Sequence, residues 1–333
     1  MLRSSNIIAC DMFCGAGGFS YGLLKAAEEQ GFKVRLTAID RWKIAIETHS
    51  VNHPNAHHIC ADISDLDPLE LFPGGRIDIL LASPECTHHS RARGGIPRCE
   101  KNRESAWYIL KWAKLLEIEE IIIENVREFK KWGPLNENGN PDKTREGDTF
   151  RRFIKDLKSM NYHIDWRVLN CADYGDPTSR KRLFIRASKK GNIVWPAKNF
   201  EGKWRTIEEI IDWSFPGTSI LDRRRPLKKS TIKRILDGII KFSKKDMFDV
   251  YKPFILHQCP SGRSRGMDNT MSTIMTRDIH ALVNYSGELK VKPFIIKYFG
   301  MGGNQYIKET LDTIKTRNHF AFVIPVSDRK SVV

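Results

Sequence analysis

The stretch NIIACDMFCGAGGFSYGLLKAAEEQ, residues 6–30, decides the fold class of this 333-residue chain. Its first part is an apolar run typical of a β-strand, and its last part has apolar residues at helical spacing. Between them lie Gly15, Gly17 and Gly18, which allow a tight turn and a close approach of a ligand to the backbone at the helix N-terminus. The stretch therefore predicts a strand–turn–helix unit of an α/β fold.

The same alternation of strands and helices continues to residue 186. Further strands are predicted for VRLTAID (34–40), IDILLAS (77–83), EEIIIENV (119–126), YHIDWRVLN (162–170) and KRLFIRA (181–187). Helices are predicted for SYGLLKAAEEQ (20–30), WKIAIETHSVN (42–52) and SAWYILKWAKLLE (105–117). Strands separated by such helices predict a largely parallel sheet, in which ligands bind beyond the carboxyl ends of the strands. We therefore expect an α/β domain of the Rossmann-like type over residues 1–186.

The overall charge of the chain favours a polyanionic partner. The formal net charge is +15 at pH 7, and such a surplus of cations attracts nucleic acid through counterion release. A basic but unspecialised surface remains the alternative. No apolar stretch approaches the roughly 20 residues that cross a bilayer, and the N-terminus lacks a secretory signal, so we expect a cytoplasmic protein. The 7 cysteines are scattered, which predicts reduced thiols, with Cys10, Cys14, Cys60, Cys171 and Cys259 in the core.

Residues 187–333 have a different pattern and predict a smaller, basic, β-rich second domain. The basic cluster DRRRPLKK (222–229) lies in this part, and residues 253–283 match residues 293–323 without gaps. Each copy of this repeat carries one arginine at the same position, Arg277 and Arg317. These arginines either lie along a groove of DNA or face solvent in a purely structural duplication, and the sequence leaves both readings open.

Acidic residues at strand ends predict a nucleoside pocket in the first domain. Asp40 ends the second strand, where it could accept hydrogen bonds from ribose hydroxyls. A third run ends in CADIS (60–64), where Asp62 could accept from an adenine amino group and Ile63 could pack on the ring. The glycine turn has no lysine of a phosphate cradle, so S-adenosylmethionine (AdoMet) fits better than ATP, and NAD remains an alternative.

A cysteine, a carboxyl group and two arginines follow further strand ends and suit attack on a pyrimidine. The thiolate of Cys86 would add to C6 of the ring, because a deprotonated sulfur is a strong nucleophile. The carboxyl of Glu124 would bind the N3 and amino edge, and Arg180 and Arg182 would hold the ring oxygen and nearby phosphates. A zinc cluster of Cys86, His88, His89 and Cys99 is an alternative, but its spacing matches no common ligand pair.

These residues lie in motifs that together resemble the DNA cytosine-5 methyltransferases, over residues 6–186. DMFCGAGGFSYGL (11–23), ASPECT (82–87), ENV (124–126) and DYGDPTSRKRLFI (173–185) resemble the family's glycine, nucleophile, carboxyl and paired-arginine motifs in the family's order. The resemblance implies that Cys86 is the nucleophile, that Glu124 binds the base edge, and that Arg180 and Arg182 support the flipped cytosine. It implies that the AdoMet site is lined by Phe13, Asp40, Asp62 and Ile63. We also assign Gly15, Gly17, Ser83 and Pro84 to this site, and Asp11 either contacts the methionine end of the cofactor or only orients the glycine turn.

The resemblance also implies the substrate and the way in which it is bound. The family flips its target base out of double-stranded DNA, because stacking shields the ring atoms. SRARGG (90–95) would then be a loop that closes over the DNA, with Ser90, Arg91 and Arg93 near phosphates. The second domain would recognise the target sequence, as in enzymes of prokaryotic or phage restriction-modification systems.

The chain departs from the family's pattern in several places. Glu85 and Thr87 replace the Pro and Gln that flank the nucleophile, and Thr178 replaces a Gln in the paired-arginine motif. Arg41 stands where an apolar residue more often covers the adenine. An extra carboxylate beside a thiol should disfavour the thiolate.

The family's two C-terminal segments are not recognisable after the second repeat. The sequence therefore leaves open a split enzyme whose complementing subunit supplies these segments, a shortened DNA-binding protein without activity, and an RNA cytosine-5 methyltransferase.

Overall fold

The computed structural model describes residues 6–85, 105–200, 202–206, 209, 227–228, 230–233, 237, 254–257, 265–266, 280–283, 294–297 and 320–323. The strands are β1 (Asn6–Met12), β2 (Lys33–Asp40), β3 (His57–Cys60), β4 (Arg76–Ala82), β5 (Glu117–Asn125), β6 (His163–Asn170), β7 (Lys181–Ser188), β8 (Phe254–His257), β9 (Arg265–Gly266), β10 (His280–Val283), β11 (Phe294–Lys297) and β12 (Phe320–Val323). The α-helices are α1 (Gly18–Glu29), α2 (Lys43–Asn52), α3 (Pro68–Leu71), α4 (Trp107–Leu115) and α5 (Asp148–Ser159).

The first seven strands form one mixed sheet in the order β3-β2-β1-β4-β5-β7-β6. The pairs β2–β3, β1–β2, β1–β4 and β4–β5 are parallel, and β7 is antiparallel to β5. The predicted α/β class with a largely parallel sheet is thus confirmed. Residue numbers rise outward from β1 to β3 on one side and from β1 to β5 on the other, so the chain reverses its winding beside β1, where open α/β sheets bind ligands.

The carboxyl ends of the parallel strands meet at one edge of the sheet, here called the carboxyl edge. Backbone hydrogen bonds join the segments that leave these strands: the Cys14 amide donates to the Ile39 carbonyl at 3.1 Å, and the Ser83 amide donates to the Met12 carbonyl at 3.0 Å. Because β7 runs in the opposite direction, its first residues lie at the same edge, next to the end of β5.

The core of this part lies on the sheet under α4 and α5. Trp112 of α4 and Phe153 of α5 are fully buried, and the buried ring of Phe129 packs against Phe153 with centroids 6.4 Å apart. Helix α5 is absent from the sequence prediction, although Phe150, Phe153 and Leu157 recur at helical spacing and are all buried. The cysteine predictions are confirmed for Cys10 and Cys14, which are buried, and wrong for Cys60, which is exposed at the end of β3. Cys171 is only partly buried, and Cys259 lies outside the described residues.

The chain divides into two compact units, and the second holds a separate small sheet. The first unit comprises Met1–Leu169 and Arg182–Trp195, and the second comprises Asn170–Lys181 and Pro196–Val333. In the second unit the strands are ordered β10-β12-β11-β8-β9. Strands β8 and β10 lie in the first copy of the sequence repeat, and β11 and β12 lie at the corresponding positions of the second copy. Strand β8 pairs antiparallel with β10, and β11 pairs antiparallel with β12. The domain boundary at residue 186 and the recognition role of residues 187–333 stay predictions.

Within the described ranges, no helix has the length and apolar character needed to cross a membrane.

Candidate functional site

The turn between β1 and α1 has a strained backbone. Phe13 has a φ of 59°, which is uncommon for an aromatic residue, and Gly15 and Gly17 have φ of 54° and 93°. At Gly17 a Cβ atom would lie 2.5 Å from ring atoms of His53, so only glycine fits there without displacement. Such strain is typical of ligand-binding turns.

The carboxylate of Asp40 holds this turn in place. The Gly15 amide donates to its Oδ2 at 3.1 Å, and the Trp42 amide donates to its Oδ1 at 2.8 Å. Asp40 therefore joins the end of β2 to the glycine turn while it remains half-buried at the carboxyl edge.

A crevice of about 490 Å³, including the solvent at its mouth, opens beside Asp40. It is lined by Phe13, Ile39, Asp40, Arg41, Ala61, Asp62, Ile63, Glu85, Ser105 and Tyr108. Four of the residues predicted for the cofactor are thus brought together, and Gly15, Gly17, Asp11, Ser83 and Pro84 lie in the adjoining strand, turn and loop.

Asp62 and Ile63 form the side of the crevice that follows β3. Asp62 Oδ1 accepts from the Ser64 amide at 3.0 Å and from the Ser64 hydroxyl at 2.9 Å, which begins a short 3₁₀ turn. Ile63 is buried in the core behind it. A carboxylate and an apolar side chain at adjacent positions suit the amino edge and the face of a nucleobase.

Arg41 and Glu85 form an ion pair at this crevice. The guanidinium of Arg41 contacts the Glu85 carboxylate, and its Nη1 lies 3.7 Å from Asp62 Oδ2. The sequence analysis noted both residues only as departures from a family pattern. Ser105 and Tyr108, at the start of α4, also line the crevice and carry no sequence signal that would have pointed to them.

Behind the glycine turn lies a buried chain of polar side chains. The Ser20 hydroxyl donates to Asp11 Oδ2 at 2.7 Å, so Ser20 accepts from His49 Nε2 at 3.0 Å. His49 Nδ1 then accepts from His58 Nε2 at 2.9 Å. Asp11 Oδ1 is buried and has no hydrogen-bond partner among the described residues.

Burial of this chain changes the proton affinity of its members. Desolvation, with a smaller contribution from the Asp40 carboxylate, raises the pKa of Asp11 from 3.8 to about 7 against the opposing hydrogen bonds from Ser20. Desolvation and the neighbouring imidazoles of His53 and His58 lower the pKa of His49 from 6.5 to about 4. His49 is therefore neutral at neutral pH, as its hydrogen-bond pattern requires.

A second ion pair joins β5 and β7 at the carboxyl edge. Arg182 Nε lies 2.9 Å from Glu124 Oε1, and both side chains are mostly buried. The next residue, Asn125, is buried and donates from Nδ2 to the Pro84 carbonyl at 3.1 Å. The ENV segment therefore holds both an arginine and the chain that leads from β4 to Glu85, a role of Asn125 that the sequence analysis missed.

The remaining predicted catalytic and DNA-binding residues belong to the second unit or lie outside the described residues. Arg180 belongs to the second unit, where its carbonyl accepts from the Cys171 amide at 2.9 Å. Outside the described residues lie Cys86, Thr87, His88, His89, Ser90, Arg91, Arg93, Cys99, Arg277 and Arg317. In the part of the chain that the structure describes, no group of three or more His, Cys, Asp or Glu side chains is arranged to hold a metal ion.

The chain is similar to known proteins in sequence and in fold. The sequence model of the family described as C-5 cytosine-specific DNA methylase matches residues 7–328. The Type II methylase M.HgiDII of Herpetosiphon aurantiacus is 30% identical over 210 residues, which are 60% of this chain and 52% of that protein. The Type II methyltransferase M.DdeI of Desulfomicrobium norvegicum is 28% identical over 220 residues, which are 62% of this chain and 47% of that protein.

The chain thus spans about half the length of the curated relatives that it matches. Among solved structures, a mutant DNMT2 of Spodoptera frugiperda is similar with a TM-score of 0.50 and 20% identity, over 70% of this chain and 66% of that one. That similarity concerns the fold alone.

Proposed function

Because the chain belongs to the C-5 cytosine-specific DNA methylase family, we propose that it transfers a methyl group from AdoMet to C5 of cytosine in double-stranded DNA. The observation that carries this proposal is the convergence of three parts at the carboxyl edge. These are the crevice with Asp40 and Asp62, the segment Ser83–Glu85 that leads to Cys86, and the Glu124–Arg182 ion pair. A donor, a nucleophile and a base-edge carboxyl are needed together for this reaction.

The residues of the crevice fit AdoMet. Asp40 offers acceptor oxygens for ribose hydroxyls, Asp62 offers them for the adenine amino group, and Phe13 and Ile63 offer apolar surface for the ring. The first turn of α1 has no acidic side chain and no side-chain cap, so its amides and its positive dipole suit a carboxylate. The unpartnered Asp11 Oδ1 behind this turn suits an ammonium group. When bound, AdoMet supplies an electrophilic methyl group on a sulfonium.

The chain's own residues would carry out the rest of the chemistry. The Cys86 thiolate adds to C6 of the flipped cytosine, which makes C5 nucleophilic enough to take the methyl group. Glu124 binds the N3 and amino edge and stabilises the charge that develops on the ring, while Arg182 fixes the orientation of Glu124. Loss of the C5 proton then breaks the bond between sulfur and C6 and releases the product.

DNA binding rests on charge and on residues outside the described ranges. The net charge of +15 supports a non-specific attraction to DNA. We assign phosphate contacts to Ser90, Arg91 and Arg93, and groove contacts to Arg277 and Arg317. A cytoplasmic location in a prokaryotic or phage system and a complementing subunit are further parts of the proposal.

A covalent trap tests the reaction. A duplex in which 5-fluorocytosine replaces cytosine should form a stable adduct with the chain in the presence of AdoMet, because fluorine cannot leave C5 as a proton does. We expect the adduct on denaturing gels and its loss in Cys86→Ser. An absent adduct with the purified chain but a present one after addition of its genomic neighbours would support the complementing subunit. An adduct with single-stranded RNA in place of duplex DNA would overturn the choice of substrate.

Glu124→Gln tests the role of the carboxyl, with Glu120→Gln as a matched control. Glu120 lies on the same strand and pairs with Arg186 at 3.1 Å with similar exposure, but it lies away from the carboxyl edge. We expect Glu124→Gln to lower turnover by about 100-fold or more while AdoMet binding, measured by calorimetry, stays unchanged. Glu120→Gln should leave both unchanged. Loss of AdoMet binding in Glu124→Gln would show that the carboxyl has been assigned to the wrong ligand.

A further inference from the structure

Two unusual residues, distant in sequence, meet at the mouth of the crevice. Arg41 follows β2 and Glu85 follows β4, and β1 lies between these strands in the sheet. Two strand spacings separate their backbones by about 10 Å, so contact requires long side chains on both sides. An arginine and a glutamate supply that length, and their charged ends form an ion pair across the end of β1.

The position of Glu85 gives this ion pair a chemical consequence. Glu85 precedes Cys86 directly in the chain, and an uncompensated carboxylate beside a thiol disfavours the thiolate that must attack the base. The guanidinium of Arg41 forms an ion pair with this carboxylate and compensates its negative charge. The same guanidinium lies 3.7 Å from Asp62, which lines the crevice on the other side.

We propose that Arg41 is a positioning residue that holds Glu85 and compensates its charge, and so couples the AdoMet crevice to the reactivity of Cys86. This inference rests on the proposed function, in which Cys86 is the nucleophile. The charge of Arg41 compensates that of Glu85, which stands at a position where the family has proline. The departures from the family pattern at residues 41 and 85 therefore form one compensated pair.

The exposure of the pair indicates which property it affects. Half of the Arg41 side chain and about a quarter of the Glu85 side chain are exposed (51% and 27%). Exposed ion pairs contribute little to the stability of a fold, typically about 0–1 kcal/mol. The effect of Arg41 should therefore be seen in the chemistry of Cys86 and in the coupling to AdoMet, with little change in unfolding.

A double-mutant cycle tests the coupling in the full-length chain. The variants are Arg41→Gln, Glu85→Gln and the combination of both, and the readout is the rate of Cys86 alkylation by iodoacetamide at pH 7.5, followed by peptide mapping. We expect Arg41→Gln to slow alkylation by about threefold to tenfold, because the Glu85 carboxylate is then uncompensated. In the Glu85→Gln background the same change should alter the rate by less than about twofold.

Lys43→Gln is the matched control for the loss of one positive charge. Lys43 lies two residues from Arg41, is largely exposed and pairs only with Glu47, at 3.8 Å, among the ion pairs of the described residues. It should leave the alkylation rate unchanged, whereas an equal effect of Lys43→Gln and Arg41→Gln would reduce the finding to net charge and overturn the proposal. An Arg41→Gln effect of the same size with and without Glu85 would also overturn it.

The alkylation assay separates this proposal from the proposed function, since it needs neither DNA nor methyl transfer. If the wild-type chain forms no adduct with fluorinated DNA, either alone or with its genomic neighbours, but the cycle shows coupling, the proposed function fails and the control of Cys86 reactivity by Arg41 stands. If the adduct forms and the effects of the two substitutions on the alkylation rate are additive, the proposed function stands and the role of Arg41 fails. Where activity is measurable, Arg41→Gln should lower kcat more than it raises KM for AdoMet, and Glu85→Gln should restore kcat in the double variant.

Discussion

Two groups of acidic and basic side chains flank the same glycine turn, one buried and one at the surface. The buried group consists of Asp11, Ser20 and His49, which continue to the half-buried His58 in a single hydrogen-bonded chain from the first strand through α2 to β3. The surface group consists of the crevice residues Arg41, Asp40, Asp62 and Glu85. Both groups lie in the first unit of the chain.

The charged side chains of the two groups are stabilised in different ways. In the buried chain, proton positions are set by hydrogen bonding and desolvation, so the pKa of Asp11 is raised and that of His49 is lowered. At the crevice, charges are neutralised by opposite charges or by backbone amides, and oxygen atoms still face solvent. The buried group therefore packs behind the turn, whereas the surface group keeps oxygen atoms available for ligands while Asp40 also holds the Gly15 amide. Substitutions in the first should act mainly on stability, and substitutions in the second mainly on binding and reactivity.

The largest effect on stability is expected for Gly17→Ala. The new Cβ would lie 2.5 Å from His53 and 2.9 Å from His49, on a backbone with a φ of 93°. We expect the free energy of unfolding to fall by about 3 kcal/mol in urea titrations of the ligand-free protein, from overpacking and backbone strain together.

Gly18→Ala is the control for this change, because a Cβ there meets nothing within 4 Å and the residue begins α1. It should change the free energy of unfolding by no more than about 1 kcal/mol. Equal effects of the two substitutions would mean that the histidines behind the turn give way, and that the buried group is not rigid.

An intermediate effect is expected for Asp11→Asn, and it should depend on pH. A carboxyl whose pKa is raised from 3.8 to about 7 by folding keeps its proton in the folded state, while the unfolded state loses it. The stability that this group contributes is therefore lost as pH rises through that window, by about 1.4 kcal/mol per pH unit. Asparagine does not titrate, and it can still accept from Ser20.

The measurement is the difference in free energy of unfolding between Asp11→Asn and the wild type at several pH values from 4.5 to 6.5. We expect this difference to rise in favour of the variant with the slope given above. In the wild type, His49 opposes Asp11, since its lowered pKa makes stability rise with pH between about 4 and 6.5. Parallel curves for variant and wild type would show that Asp11 is ionised throughout, and the contrast between the two groups would lose its electrostatic basis.

The sequence was sufficient to predict the surface group better than the buried one. Asp40 and Asp62 follow apolar runs, and parallel strands bring their carboxyl ends together whatever the details of packing. The partnership of Arg41 and Glu85 needs more information, namely that β1 lies between β2 and β4 and that two long side chains reach across it. No pattern within a short stretch contains that information.

The buried group could not be predicted from the sequence for a different reason. His49 lies in a helix with other polar residues, and its burial against Ser20 results from the packing of α2 on the glycine turn. Helix α5, in contrast, could have been predicted, since its apolar residues repeat at helical spacing between charged ones. Its apolar residues are separated by many charged ones, so the segment has no continuous apolar run that marks it as part of the core.

The smallest effect on stability, and the sharpest contrast with Gly17, is expected for Asp62→Ala. Asp62 caps a short 3₁₀ turn through Ser64, and Asp67 caps α3 in the same way by accepting from the Leu69 amide at 2.8 Å. Loss of either cap should lower the free energy of unfolding by about 1 kcal/mol or less. Only Asp62 lines the crevice, so only Asp62→Ala should weaken AdoMet binding, by about tenfold in calorimetric titrations. Asp67→Ala should bind AdoMet as the wild type does, and equal losses of affinity in both variants would mean that the helical caps, not the crevice carboxylate, determine cofactor binding.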